Sequence, residues 1–577
     1  MPSPRSPLAH RLRLAAVVLA AGWLLSGVAR AAVPPAGGAV ASAAPAATEV
    51  GLEILRSGGN AADAGVATAL ALAVVHPAAG NLGGGGFAVA RTGRGVWALD
   101  FRETAPAAAT AGMYLGADGR PRPEASLVGP VAAGVPGSPA GLFELHRRLG
   151  RLPWPRVVAP AVHLARDGFL VTPRLAAGVN AARTLLARFP ETAAVWLPGG
   201  QAPPAGSTVK LPRLAAALQA YAERGPSALT TGAAAAAIVA ASRRHGGILT
   251  VADLAGYRPV WREPVVFTAF GWEIASMPLP SSGGIIVAES FGILERLGWA
   301  KVPAGSVDRL HLLVESWRRA YADRFLLGDP ATTQAGPAEL LAAAWLDLRA
   351  AQIDRTRATP STLVKPWSGA AGREPSQTTH LSVIDGNGDA VSLTTTLNDS
   401  FGCGLLIPEL EILLNDEMDD FAVAPGTPNL YGLVQGEANA VGAGKRMLSS
   451  MSPTVASRGT EVLALGSPGG SRIPTATSQV LLGVLVDHDA LQAAVDRPRV
   501  HNQWLPDELV FEDGALSASA RAELIGRGHT LRRVEQIGEV HAVRRRPDGG
   551  LEAAADPRGP GAAGTVGAER PTPSPAP

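Results

Sequence analysis

The stretch from Thr378 to Asn398 constrains the fold of this 577-residue chain most strongly, because its pattern predicts a β-hairpin. Its centre, from Asp385 to Asp389, reads Asp-Gly-Asn-Gly-Asp, a strong turn signal because Gly and Asn tolerate positive φ. β-Branched residues flank the turn with a period of two, as expected for two paired strands. If the loop is symmetric about Asn387, Leu381 lies opposite Leu393 and the register of the whole ribbon is fixed.

The two sides of this ribbon differ in chemistry, since one is apolar and the other carries hydroxyls and a histidine. The apolar side comprises Leu381, Val383, Val391 and Leu393, and the polar side comprises Thr378, His380, Ser382, Ser392, Thr394 and Thr396, with Ile384 and Ala390 beside the turn. A strand face rich in hydroxyls is most often simply exposed. Here, however, Thr378 and Thr396 are directly opposed, with β-carbons about 5 Å apart, so that one hydroxyl can hydrogen-bond the other.

Thr378 becomes a good nucleophile if the chain is cut before it. The α-amine of a terminal threonine has a pKa near 8 and can take the proton from its own Oγ. Residues from about 356 to 376 contain Thr, Pro, Ser and Gly without periodicity, which predicts an exposed linker leading to Thr378. A cleavable segment before this residue is therefore physically reasonable.

The N-terminal segment, residues 1–31, has the three parts of a secretory signal peptide. Arginines come first, an apolar run from Leu14 to Leu25 follows, and Ala29-Arg30-Ala31 provides a small-x-small cleavage site. The apolar run is short for a membrane-spanning helix, which disfavours the alternative of a retained anchor. We expect an exported protein, either periplasmic or secreted.

Composition narrows the class of protein further. The chain is 47% hydrophobic and 17% charged, which is ample for a large core. Removal of the signal peptide takes away arginines and no acid, so the mature chain is close to neutral, and no basic block suggests a nucleic-acid partner. Cys403 is the only cysteine, which excludes an intrachain disulfide and a thiolate metal cluster.

The rest of the chain alternates helical and strand-like segments. Pro45–Ser57 predicts a helix closed by glycines, and Asn60 with Asp63 caps a second helix that runs to Val75. The glycine-rich loop Gly80–Phe87 lacks the spacing of a phosphate-binding loop, so we expect it to lie close to another backbone. Ser306–Leu326 predicts an amphipathic helix, and the Pro/Gly/Ala-rich tail from about residue 559 predicts disorder.

Polar and turn-forming loops crowd the region after the hairpin. Asn415–Phe421 is rich in acids, a pattern that most often marks a solvated face, and Pro425–Leu433 has the composition of a lid with an apolar tip. Ser449–Pro453 and Gly466–Arg472 are two further loops. Within the second, Gly469 and Gly470 could present adjacent N–H groups to a developing oxyanion, as an acyl-transfer site requires.

These motifs together give the chain a resemblance to the γ-glutamyltranspeptidases, heterodimeric N-terminal-nucleophile hydrolases made from one precursor. The matching segments are Gly80–Phe87, Asp100–Glu103, Pro280–Gly284, Gln377–His380, Asn415–Phe421, Tyr431–Leu433, Leu448–Thr454 and Gly466–Ile473. Matches in one order over about nine tenths of the chain are very specific. The resemblance implies an α+β fold of the four-layer αββα sandwich type, with no metal or organic cofactor. It also implies self-cleavage before Thr378, giving a large subunit (residues 32–377) and a small subunit (residues 378–577).

The family's catalytic roles fall on residues that the chemistry had already suggested. By resemblance, Thr378 is the nucleophile that first attacks the carbonyl of Gln377 and later the γ-carbonyl of a glutamyl substrate. Thr396 matches the second threonine, which orients the first. Gly469 and Gly470 match the oxyanion hole.

The family's substrate group is a zwitterion, so its pocket needs a cation for the carboxylate and acids for the ammonium. By resemblance, the carboxylate contacts are Arg102, Ser449 and Ser450, the ammonium contacts are Asn398, Glu417 and Asp420, and the lid residue is Tyr431. Three departures from the family pattern, at Cys403, Glu411 and Met447, are expected to touch the pocket walls and to alter acceptor preference.

The sequence thus predicts an exported γ-glutamyl hydrolase and transferase with glutathione or glutamine as donor, and water, an amino acid or a peptide as acceptor. One alternative is a cephalosporin or glutaryl acylase on the same scaffold. Arg102, Glu417 and Asp420 argue against it, because an acyl group without an α-amine has no use for the two acids. The other alternative is an uncleaved, catalytically silent binding protein, which the intact Thr378 and Thr396 disfavour.

Overall fold

The computed structural model describes residues 37–122, 124–365, 378–426 and 435–567. The predicted signal peptide, Gln377 and Tyr431 lie outside the described residues, as do residues 366–376 of the predicted linker.

The described strands form two large sheets and several short ribbons. They are β1 (Gly38–Ser42), β2 (Gly85–Thr92), β3 (Gly95–Asp100), β4 (Phe169–Leu170), β5 (Thr208–Val209), β6 (Val260–Arg262), β7 (Val265–Ala269), β8 (Trp272–Ser276), β9 (Thr379–Asp385), β10 (Ala390–Thr396), β11 (Leu406–Ile407), β12 (Ile412–Leu413), β13 (Thr454–Arg458), β14 (Glu461–Gly466), β15 (Val500–His501), β16 (Leu509–Phe511), β17 (Leu531–Arg533), β18 (His541–Arg545), β19 (Leu551–Ala554) and β20 (Ala562–Val566).

The described helices lie mostly before the hairpin. They are α1 (Pro45–Arg56), α2 (Ala61–Val75), α3 (Ser138–Leu149), α4 (Trp154–Asp167), α5 (Pro173–Ala181), α6 (Arg183–Leu186), α7 (Pro190–Trp196), α8 (Pro212–Arg224), α9 (Ser227–Thr230), α10 (Gly232–Arg244), α11 (Val251–Gly256), α12 (Gly283–Arg296), α13 (Val307–Asp323), α14 (Pro337–Leu340), α15 (Ala343–Ala351), α16 (Ile473–Leu485), α17 (Leu491–Asp496) and α18 (Ala518–Gly526). No described helix combines the length and the apolar character needed to span a membrane.

The two large sheets pack face to face, with helices on both outer surfaces. The first has the strand order β20-β1-β9-β10-β2-β3-β6 and the second β19-β18-β14-β13-β8-β7. Helices α1 to α3 cover the first sheet and α4 packs on α2, while α12 and α16 lie against the second sheet and α13 packs on α12. Separate apolar clusters fill the two helix-to-sheet layers and the space between the sheets. This is the predicted four-layer αββα sandwich, and the prediction is confirmed.

The hairpin has the predicted register. Ala390 pairs with Ile384 and Leu393 with Leu381, as symmetry about Asn387 requires. The turn is held by Asp385, whose Oδ1 accepts the backbone N–H of Asn387 at 2.9 Å. The apolar side of the ribbon packs under the helices of the first sheet.

The polar side of the hairpin is buried, and several of its side chains form hydrogen bonds to the second sheet or to one another. His380 Nε2 lies 2.9 Å from Ser382 Oγ, which itself donates to the carbonyl of His541 in β18. Ser392 Oγ donates to the carbonyl of Leu465 in β14 at 2.8 Å. Burial lowers the pKa of His380 well below its usual value, so the ring is neutral. Hydroxyls on this face therefore cross-link the sheets.

The helix predictions are also confirmed. Asn60 and Asp63 form a reciprocal capping box at the start of α2, which ends at Val75. Ser306 caps α13, and Trp317 lies in the core as predicted. The aromatic stripe is therefore structural.

The predicted disorder of the C-terminal tail from about residue 559 is wrong for residues 559–567. Ala562–Val566 forms β20, which pairs antiparallel with β1 at the edge of the first sheet. A β-carbon on Gly564 would lie 2.8 Å from the side chain of Leu52, so the small residues that suggested disorder let this strand fit beneath α1.

Candidate active site

The ends of the hairpin strands bring the two predicted catalytic threonines together. Thr378 directly precedes β9 and is 7% exposed, while Thr396 is the last residue of β10. Thr396 Oγ1 accepts the backbone N–H of Asn398 at 2.7 Å. The hydrogen bonds of the described residues do not include one between the two threonine hydroxyls. Thr396 is held by its strand pairing with Gly85, and Thr378 lies next to the first residue of β9.

The glycine-rich loop lies directly against Thr396, as predicted for a close backbone approach. A β-carbon on Gly84 would lie 2.2 Å from the carbonyl oxygen of Thr396, and one on Gly86 would lie 2.3 Å from that of Thr394. Asn81 Nδ2 donates to the Thr396 carbonyl at 2.7 Å. Only glycine lets the two backbones pack this closely, so the loop is a support for the second threonine.

The loop between β14 and α16 contains Gly469 and Gly470, the two glycines predicted to donate to an oxyanion. Gly469 has φ 128° and Gly470 has φ 52°, in the region that favours glycine. A 3-10 turn, Gly470–Arg472, leads directly into α16, so these amides lie at a helix N-terminus, where partial positive charge favours an anion. The local geometry suits stabilisation of a developing oxyanion.

Most predicted site residues line one small cleft. Its volume is about 20 Å³. Its walls are Arg102, Thr378, Thr396, Glu417, Asp420, Ser449, Ser450, Met451, Gly470 and Ile473. Met451 and Ile473 were not predicted, because an apolar residue beside a polar loop carries no functional signal of its own. The other predicted positions are Gly469, which adjoins the cleft through Gly470, and Asn398 and Tyr431.

The charged residues of the cleft form a single buried ion-paired group. The guanidinium of Arg102 donates to carboxylate oxygens of both Glu417 and Asp420, and its Nε donates to the carbonyl of Met447 at 3.3 Å. The acid-rich segment is thus buried, contrary to the usual solvated face. The structure pairs the cation directly with both acids, although the sequence analysis assigned them to the carboxylate and the ammonium of a substrate zwitterion.

Burial dominates the electrostatics of this group. It raises the pKa of Glu417 well above the usual value and raises that of Asp420, although Arg102 pulls both down. Burial also raises the pKa of the neighbouring Glu103 to about 8. Burial alone would lower the pKa of Arg102, but the acids outweigh it and raise the pKa. Arg102 therefore stays positively charged, while the neighbouring carboxyl groups have raised pKa values and lose their protons less readily than usual.

The two predicted serines differ in how they are held. Ser449 Oγ accepts the backbone N–H of Met451 at 3.1 Å. Ser450 Oγ is buried and has no hydrogen-bond partner in the described part of the chain. A buried hydroxyl without a partner is costly, so Ser450 is suited to a ligand's carboxylate.

Asn398 lies behind the cleft and does not line it in the described structure. Its φ is 79°, and its Nδ2 donates to the carbonyl of Asp416 at 3.1 Å. Sequence reasoning also missed Gln435 and Asn439, whose side-chain amides donate to the carbonyl of Asp420 at 2.9 and 2.7 Å. Contacts between loops so far apart leave no local sequence signal.

The three departures from the family pattern were expected to touch the pocket walls, and within the described residues none of them lines the cleft. Glu411 has φ 52°, which explains why glycine suits the position. Its carboxylate accepts the N–H groups of Arg213 and Leu214 and so caps α8. The backbone carbonyl of Met447 accepts a hydrogen bond from Arg102 Nε. In the described part of the chain no cluster of His, Cys, Asp or Glu side chains is arranged to hold a metal ion.

A threonine directly before a central strand of an αββα sandwich, in one cleft with Gly470, is the arrangement of the class of N-terminal-nucleophile hydrolases. Comparison with known proteins then identifies the family. The model of the gamma-glutamyltranspeptidase family matches residues 47–566. This chain therefore belongs to the γ-glutamyltranspeptidase family and is a γ-glutamyltransferase and hydrolase.

Individual relatives agree with this family. The chain is 42% identical to the glutathione hydrolase proenzyme of Escherichia coli over 525 residues, covering 90% of each chain. It is 42% identical over 533 residues to that of Pseudomonas aeruginosa, covering 91% of this chain and 94% of the relative. A crystal structure of cephalosporin acylase from Bacillus halodurans is similar with a TM-score of 0.82 and 27% identity, covering 92% of this chain and 96% of the acylase.

Proposed function

We propose that the protein is an exported enzyme that cleaves glutathione and other γ-glutamyl compounds through a covalent γ-glutamyl-Thr378 intermediate. The observation that carries this proposal is the shared cleft, in which Thr378 faces Arg102, Glu417 and Asp420. One cation and two acids fit the α-carboxylate and α-ammonium of a γ-glutamyl group. The names of the relatives, glutathione hydrolase proenzymes, support the same donor.

Maturation is the first reaction at this site. Thr378 Oγ attacks the carbonyl carbon of Gln377, the C–N bond to Thr378 breaks, and its nitrogen takes up the hydroxyl proton. Hydrolysis of the resulting ester releases the carboxylate of Gln377 and leaves Thr378 with a free α-amine. That amine has a pKa near 8 and is the base for later turnover.

Turnover uses the same atoms on a donor. The α-amine of Thr378 takes the proton from Oγ as the oxygen attacks the γ-carbonyl carbon, and the N–H groups of Gly469 and Gly470 stabilise the oxyanion. The proton passes to the leaving amine as its C–N bond breaks. Water, or the amine of an amino acid or peptide, then attacks the γ-glutamyl ester and regenerates Thr378. Thr396 orients the nucleophile throughout.

Recognition requires an exchange of ionic partners, because Arg102 is already paired with both acids. The donor's α-carboxylate takes the guanidinium of Arg102 together with the hydroxyls of Ser449 and Ser450. The α-ammonium in turn takes Glu417 and Asp420, with Asn398 behind them, and Tyr431 covers the bound donor. A zwitterionic donor gives Arg102 a new carboxylate and gives the two acids a new ammonium, so every charge keeps a partner. A donor that is only an anion would pair with Arg102 and leave the buried acids without a partner.

The acylase alternative is weaker. The acylase from Bacillus halodurans shares the fold, but fold alone does not decide the acyl group. The buried acids Glu417 and Asp420 favour a donor that carries an α-ammonium. A silent binding protein is disfavoured by the support that the glycine-rich loop gives to Thr396.

Two measurements test the proposal. A denaturing gel of the purified protein should show two fragments, as expected for a cut before Thr378. Incubation with glutathione alone should release glutamate, and incubation with glutathione and a dipeptide acceptor should form a γ-glutamyl peptide. A single full-length band without glutathione turnover would contradict the proposal.

A further inference from the structure

A second buried arginine lies beside the substrate cleft. Arg324 follows α13, is 2% exposed, and forms no salt bridge within the described residues. Its Nε donates to Ser282 Oγ at 3.0 Å, and its Nη1 lies 3.5 Å from Gln435 Oε1. Burying a cation without a paired acid costs free energy, so packing alone does not explain an arginine at this position.

The two contacts of Arg324 lead to opposite walls of the cleft. Ser282 Oγ donates to the carbonyl of Ser449 at 2.7 Å, and the backbone N–H of Ser282 donates to the same oxygen. Gln435 Nε2 donates to the carbonyl of Asp420 at 2.9 Å. Arg324 is therefore fixed next to a serine of the carboxylate side and an acid of the ammonium side.

The charges of Arg324 and Asp420 influence each other. Burial lowers the pKa of Arg324 to about 10, with Asp420 opposing that shift, so it is a cation at neutral pH. Burial raises the pKa of Asp420, and first Arg102 and then Arg324 pull it back down. The charged or titratable groups that face this pair are Arg102, Glu103, Glu417 and Tyr321.

We propose that Arg324 is a positioning residue that keeps Asp420 ionised while a donor occupies Arg102. The inference rests on the donor roles proposed above for Arg102 and Asp420. When the α-carboxylate takes the guanidinium of Arg102, Asp420 loses its ion pair at the moment when the α-ammonium needs a negative partner. Arg324 does not line the cleft in the described structure, so its charge stays in place when a donor binds and prevents Asp420 from taking up a proton.

The test compares two donors across pH, γ-glutamyl anilide and glutaryl anilide, which lacks the α-amine. Their ratio of kcat/KM cancels the titration of the Thr378 amine and reports the ionisation of the acids. At low pH the preference for γ-glutamyl anilide is lost, and the pH at which it falls to half is the measured midpoint. In Arg324→Gln this midpoint should rise by about one pH unit, because a nearby opposite charge lowers the pKa of a carboxyl group by about one to three units. Glutaryl turnover should change little.

Two control variants separate charge from packing. Arg324→Lys keeps the charge and should leave the half-preference pH near that of the wild type. Ser282→Ala removes the hydroxyl that contacts Arg324 but keeps the charge of Arg324. The half-preference pH should therefore stay near that of the wild type in this variant as well. An unmoved midpoint in Arg324→Gln, or a shift of equal size in Ser282→Ala, would overturn the proposal.

The wild type separates this inference from the function on which it rests. A wild type without γ-glutamyl turnover refutes the donor roles, whereas an active wild type with an unmoved Arg324→Gln midpoint refutes only the role of Arg324. If Arg324→Gln is not recovered as two fragments, the double variant Arg324→Gln/Asp420→Asn tests whether the charges of Arg324 and Asp420 are coupled. Removing both charges should restore recovery, and a double variant recovered no better than the single one would overturn the coupling.

Discussion

The reacting end of the hairpin and the ion-paired group of the cleft are held in place by different means. Thr378 directly precedes β9 and Thr396 ends β10, and backbone pairing joins these two central strands to each other and β10 to β2. Arg102 and its acid partners come from loops, and Arg102 is 315 and 318 residues away from them in the chain. Ion pairs between their side chains connect these segments across the cleft.

This difference separates chemistry from recognition. A sheet holds the nucleophile in one geometry whether or not a donor is present, which both self-cleavage and turnover require. The ionic group must instead open and exchange partners with each donor. Variants at the hairpin should therefore affect maturation and turnover together, and variants of the ionic group should affect donors alone.

The largest effect is expected at Thr378. Thr378→Ala should leave a single full-length precursor without turnover, because no Oγ remains to attack the carbonyl of Gln377. A denaturing gel measures this directly. Thr379→Val is a matched control, since Thr379 Oγ1 is buried without a partner in the described structure, and it should still mature. Recovery of two fragments from Thr378→Ala, in the absence of an outside protease, would contradict the proposal that Thr378 cleaves its own chain.

Thr396→Ala should slow both reactions. Loss of a group that orients a general acid–base step commonly costs a factor of about 10² to 10⁴. The rates of precursor conversion and of glutathione turnover should fall together, and Thr396→Ser, which keeps the hydroxyl, should retain most of both. Wild-type rates in Thr396→Ala would remove its orienting role.

Arg102→Lys should affect donors and spare maturation. Lysine keeps the charge but loses the planar two-pronged contact, so donor KM should rise by about ten- to a hundredfold. Self-cleavage involves no free glutamyl carboxylate and should proceed normally. Arg147→Lys, on an exposed helix surface, provides the control for the substitution itself. If the Arg102→Lys precursor no longer matured, the proposed separation between chemistry at the hairpin and donor recognition by the ion-paired group would be wrong.

Asp420→Asn has the narrowest expected effect. It should weaken donors with a free α-ammonium and leave a glutaryl donor comparatively unaffected, with maturation intact. Asp419→Asn is the matched control, because Asp419 accepts a hydrogen bond from Ser126 at 2.6 Å and does not line the cleft. Equal impairment of both donors by Asp420→Asn would make the acids structural and strengthen the acylase alternative.

The sequence predicted the reacting end well because local signals determine it. The turn residues from Asp385 to Asp389 set the register, and that register alone placed Thr378 opposite Thr396. Glycine repeats signalled the close backbone approach that supports Thr396. Such features depend on neighbours in the chain or on one strand pairing.

The ion-paired state of Arg102 was beyond prediction from sequence, because it depends on how distant loops pack without a donor. The same limit applies to Arg324, whose unpaired burial only three-dimensional packing reveals. Composition misled at the C-terminus, where Ala562–Val566 completes a sheet edge that the sequence pattern does not show. Tertiary fit overrides local propensity at such positions.

The strand order of the two sheets has a consequence for the lifetime of a cut protein. In the first sheet β9 and β10 lie between β1 and β2, and β20 lies outside β1, so strands from before and after Thr378 alternate. A break before Thr378 would leave two polypeptides woven through a shared sheet. Their separation would demand rupture of the sandwich itself, so dilution alone should not dissociate the pair.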